Sequence, residues 1–178
     1  MRSRLVALSA ISAGLTAIPL IVGAVFEFSD IFALVVASVF VCLPLYYKSY
    51  KACFLAYLAG GVVGLLCGGL ANITSIVFPA YFAFFGIYPI IKNKMVEKSL
   101  NNYLGFVLGF IWCVVASYGI YYYYLFVANG VFDGLPSWLI DYAVYGVAVF
   151  ALVFFIVYDR FIVVMRLFID KYLGRIIK

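Results

Sequence analysis

The chain has 178 residues, 69% of them hydrophobic and 11% charged, with a mean hydropathy of +1.20. A soluble domain of this length cannot bury that much apolar surface, so the composition predicts one all-α integral membrane domain spanning residues 1–178. The net charge is +5 and histidine is absent, which removes the commonest general base and metal ligand. Cys42, Cys53, Cys67 and Cys113 each stand alone in an apolar run, a spacing that suits neither a disulfide framework nor a zinc site. No cofactor and no metal are expected.

Six spans are predicted, at about 5–26, 31–47, 52–71, 76–91, 103–128 and 138–158. The first follows a basic Met1-Arg-Ser-Arg start, and its apolar region is too long for a signal peptide. Small residues repeat along it by fours, as Ser9, Ala13 and Ala17, with Ala10 and Gly14 on a neighbouring track. The third span has the strongest such pattern: Ala52, Ala56, Gly60, Gly64 and Gly68. Steps of four stay near one helix face. In lipid, where helices gain little from hiding apolar side chains, such a face reads as a seam for close backbone packing.

The fourth span is the shortest and is interrupted by Pro79, Gly86 and Pro89. Two readings stand beside each other here: a broken helix that marks a binding region, and a kinked helix whose freed carbonyls are satisfied by neighbours. The fifth span carries a small-residue face, Gly105, Gly109, Cys113 and Ser117, which predicts docking against the third. It ends in Tyr121 to Tyr124, an interfacial belt of which at least one ring must face inward. Asp159-Arg160 ends the sixth span. Residues 160–178 then predict an amphipathic helix on the inner leaflet, with Phe161, Met165, Phe168, Ile169, Tyr172 and Ile176 on its apolar side.

Lys and Arg cluster at the N-terminus, at Lys48 and Lys51, at Lys92 to Lys98, and in the C-terminal tail. The other connections carry Glu27, Asp30, Asp133 and Asp141. The positive-inside rule then gives both termini cytoplasmic in a multi-pass protein of the cell membrane. The basic tail suits anionic lipid, and no nucleic-acid partner is expected.

No ionisable side chain is expected near the middle of any span, a Walker A sequence is missing, and no catalytic constellation is present. The chain reads as a non-enzyme. Its polar groups gather on the outer side, where Glu27, Asp30, Asn72, Tyr81, Tyr121, Asn129 and Trp138 are the predicted lining of a substrate pocket with aromatic walls.

Six spans, a short chain and no energy-coupling machinery resemble the substrate-binding S components of energy-coupling factor transporters. The likeness is carried mainly by the first third. There Arg4-Leu-Val-Ala-Leu-Ser-Ala-Ile-Ser-Ala-Gly-Leu-Thr-Ala17 leads into an acidic turn and Phe28-Ser-Asp-Ile-Phe-Ala-Leu34. In that family an Ala-x-x-x-Ala on the first helix docks the shared membrane partner, and Ala13-Gly-Leu-Thr-Ala17, with Ser9 one step earlier, stands in its place. The resemblance implies a bacterial membrane subunit that captures a vitamin-like small molecule from outside and is powered by a membrane coupling subunit with two ATPases. The alternative is a membrane scaffold, similar to the rod-shape proteins, that binds other membrane proteins through its Gly/Ala faces and takes no small molecule.

Overall fold

The computed structural model describes residues 2–67, 75–98, 102–126 and 137–176, which are helical almost throughout and contain no strand. The α-helices are α1 (Arg2–Val25), α2 (Asp30–Val41), α3 (Tyr50–Cys67), α4 (Val77–Ala80), α5 (Tyr88–Glu97), α6 (Asn102–Phe126) and α7 (Ser137–Ile176). Five stretches among the described residues are long and apolar enough to cross a membrane: Ser3–Val25, Asp30–Tyr47, Tyr50–Cys67, Tyr103–Tyr123 and Tyr142–Ile169.

The first three form a tight group in which α1 lies against both α3 and α2. Glycine makes the approach to α3 close. A Cβ added to Gly60 would sit 2.9 Å from Thr16 Cβ and 3.0 Å from the Ala13 carbonyl, and one on Gly64 would touch Leu20 and Phe78. Ala52 and Ala56 are buried along the same line, and Gly68 lies outside the described residues. The polar residues on α1 do not disturb this packing, because Ser12 donates to the Phe40 carbonyl of α2 and Thr16 to its own helix at Ser12. Around Pro44, which has no N–H to give, α2 tightens into a 3-10 turn (Leu43–Tyr47). Lys48, left-handed at φ 52°, closes that turn and lets the chain reverse into α3.

The predicted fourth span, 76–91, is not one continuous helix. It consists of α4, a π-helical turn over Tyr81–Phe85, and α5. Among the described residues it is also the most enclosed stretch: Val77, Phe78, Ala80, Tyr81, Phe84, Phe85, Tyr88 and Ile90 are all buried. The α6–α7 pair closes its other side, so the broken segment becomes the axis of the bundle.

Two expectations fail here. The small face of α6 meets this segment and α7 rather than α3: Gly109 leaves room for Tyr88 and Phe155, and Gly105 faces Met95. In addition, α7 runs unbroken through Asp159-Arg160, so residues 160–176 continue the same helix rather than forming a separate element. Beyond that point Ile162, Met165, Arg166 and Ile169 pack toward Ser38, Cys42, Leu45 and Asn93. Asp159 itself is buried there.

Candidate functional site

The discontinuity has a traceable cause. Gly86 N–H donates to the Tyr81 carbonyl at 2.9 Å, a five-residue step that widens the turn. Pro89 offers no N–H to the Phe85 carbonyl four residues before it. The carbonyls of this turn are met by aromatic donors from three other helices. Tyr57 of α3 donates to Phe82 at 3.0 Å, Trp112 of α6 to Ala83 at 2.7 Å, and Tyr158 of α7 to Phe85 at 3.3 Å. Tyr81 returns the link by donating to the Tyr57 carbonyl at 3.0 Å. Of the two readings of this segment, the one in which neighbours satisfy the kink describes its backbone.

What the kink leaves beside itself is space. A cavity of about 370 Å³ opens between α2, the segment from Ile76 to Phe85, α6 and α7. Its body is apolar and aromatic, with Leu34, Phe84, Phe85, Ile120, Phe150 and Phe154 among its walls, and its polar groups are Asp30, Cys113, Ser117 and Tyr121. Among the described lining residues Asp30 is the sole carboxylate, and none is Lys or Arg. It stands in the first turn of α2, where the helix dipole favours a negative charge. The size falls in the range of small-molecule sites, and a few polar groups set in apolar walls are their usual make-up.

The predicted pocket residues divide. Asp30 and Tyr121 come together in this cavity, to which Tyr121 brings a ring of the tyrosine run. Tyr118, three residues before that run, instead donates to the Val144 carbonyl at 3.1 Å and ties α6 to α7. Tyr81 is not a wall residue; it is fully buried against α3 as a core bridge, with the adjacent Ala80 on the cavity instead. The backbone of Glu27 forms the short turn before α2, and Trp138 lies in the first turn of α7. Asn72 and Asn129 lie outside the described residues. Of the predicted docking set, Ser9 donates to the Leu5 carbonyl, Ala13 turns its carbonyl toward Gly60, and Ala17 is 3% exposed within the α1–α2–α3 group.

A second polar site lies at the other end of the bundle, and the sequence did not announce it. Lys92 of α5 and Asp159 of α7 form an ion pair at 2.6 Å, with side chains 9% and 7% exposed. Tyr88 donates to the same carboxylate. Asn93, next to Lys92, donates back to the Pro89 carbonyl at 2.8 Å, and its own carbonyl accepts from Arg166 at 3.2 Å. Asp159, which the sequence put just past the sixth span, lies within the longer apolar stretch Tyr142–Ile169. Sequence alone placed Lys92 in a loop and Asp159 at a helix end, since each is flanked by charge. The signal for their pairing is long-range, two opposite charges on elements that only the fold brings together.

No family model, curated protein or solved structure matches this chain. Among the described residues, no group of His, Cys, Asp and Glu is placed to hold a metal ion. The cavity has the parts to enclose a ligand, with apolar walls, one carboxylate, and hydroxyls at Ser117 and Tyr121.

Proposed function

We propose that the chain is a substrate-capture subunit of a membrane transport system, binding a small molecule in the cavity beside the broken segment. The observation that carries this reading is the cavity itself: about 370 Å³ at the junction of four elements, apolar in its walls and with few polar groups. The crossing of the bundle by residues 76–97, from the Asp30 end to the Lys92 end, supports six passes with both termini on the basic, cytoplasmic side. In this reading the chain performs no chemistry, and the work of transport belongs to a coupling subunit with an ATPase pair.

The burial of Ala17, and the use of Gly60 and Gly64 inside the chain, weigh against a scaffold that recruits partners through those faces. They also move the expected coupling contact on α1 away from Ala17. The open side of α1 carries Ala10 and Gly14 between Val6 and Ile18, all exposed.

The test is native mass spectrometry of the full chain released from its membrane in mild detergent, beside the variant Ala116→Phe, which puts a ring into the cavity. A small molecule retained by the parent and lost from the variant, with an ATPase pair co-purifying, is the expected result. An empty parent that brings down only structural membrane proteins overturns the reading.

A further inference from the structure

The charge balance of the cavity narrows the ligand further; this step rests on the capture reading above. Asp30 is the one charged residue among the described residues that line the cavity, and rings stand in the same walls: Tyr121, Phe84, Phe85, Phe150 and Phe154. A carboxylate facing an apolar cavity is stabilised by a cation and repels an anion, because low polarity strengthens both effects. Aromatic faces act in the same direction, since their negative quadrupoles attract a positive group once it has left water. Ser117 and Tyr121 supply hydroxyls that accept from an ammonium. The opposite sign has no partner among the lining residues, whereas the basic side chains gather at the other end of the bundle.

The geometry points to a cationic amphiphile as the ligand class: an amine or quaternary ammonium carried on an apolar or aromatic body. The charged head would lie at Asp30 and Tyr121, with the body between Phe84, Phe85 and Phe154. Carboxylates, phosphates and other anionic metabolites would be excluded by the same arrangement.

Three probes of matched shape separate charge from fit: phenylbutylamine, phenylbutanol and phenylbutyrate. Their binding is read by calorimetry on the full chain in nanodiscs, with empty nanodiscs subtracting partition into lipid. The amine is expected to bind at least about tenfold tighter than the alcohol, and the acid weakest. Asp30→Asn should remove the preference for the amine while leaving the alcohol unchanged. Ala116→Leu, which narrows the cavity without removing a polar group, should weaken all three together. An alcohol that binds as tightly as the amine, or an amine preference that survives Asp30→Asn, overturns the ligand class and leaves the cavity as a binding site. If no probe heats the parent chain above the empty-disc signal, the cavity reading falls as well.

Discussion

Lys92 and Asp159 are the residues whose behaviour departs most from their local sequence. Each is a charge that would seek water at a helix end, yet the two meet at 2.6 Å inside the bundle with Tyr88 on the same carboxylate. Removing both ions from water is costly, and the attraction between them offsets that cost only while both remain. Lys92→Met should therefore destabilise the protein by ~3–5 kcal/mol, because it strands a buried carboxylate. Adding Asp159→Leu should recover much of that loss. Unfolding in mixed micelles measures both, and a double variant less stable than the single one would contradict the account. Glycine has an equally local effect. A Cβ at Gly86 would run into the rings of Tyr57 and Tyr81, whereas one at Gly14 meets nothing within 4 Å. The same residue type is thus obligatory at one position and incidental at the other, and composition does not distinguish them.

At the scale of elements, the broken segment organises its neighbours. Gly86 and Pro89 disturb its hydrogen bonding, and Tyr57, Trp112 and Tyr158 reach in from α3, α6 and α7 to repair it. The interruption was legible in the sequence, since Pro79, Gly86 and Pro89 crowd into one short apolar run. Its partners were not, because a tyrosine or tryptophan in a span reads as a belt residue until the fold shows what its hydroxyl or indole N–H meets. The same limit applies to α1. A four-residue spacing marks Ser9, Ala13 and Ala17 as a packing face, but it does not tell whether the neighbour belongs to the same chain. The capture reading makes the difference measurable. Ala17→Leu should damage the fold itself, by ~1–3 kcal/mol from overpacking. Gly14→Leu should leave thermal stability near that of the parent and reduce co-purification of a coupling subunit. Equal losses of stability in the two variants would remove the distinction between the inner and outer sides of α1.

Across the whole molecule, one end gathers Lys92, Asp159 and Arg166, with Tyr50 of α3 donating to Glu97 of α5, and the other holds Asp30 beside Ile76, Ile120 and Tyr121. This polarity predicts that reporters fused to the two termini fall on the same side of the membrane. Their appearance on opposite sides would mean that residues 76–97 do not cross. The sequence by itself determined the class: long apolar runs without charge have no stable state in water, and helices satisfy their own backbone in lipid. It also indicated the seam of small residues and the weak fourth segment, because both follow from periodicity and from proline and glycine chemistry within a few turns. Asp30 and Tyr121 were recognisable as candidates, being polar groups at the ends of apolar runs. Only the tertiary structure decided that these two share a cavity while Tyr81 is core, that α7 continues past Asp159, and that Lys92 is its counter-ion. Those outcomes depend on contacts between residues far apart in the chain, where a charge or a ring is assigned its role by what packs against it and not by its neighbours in sequence.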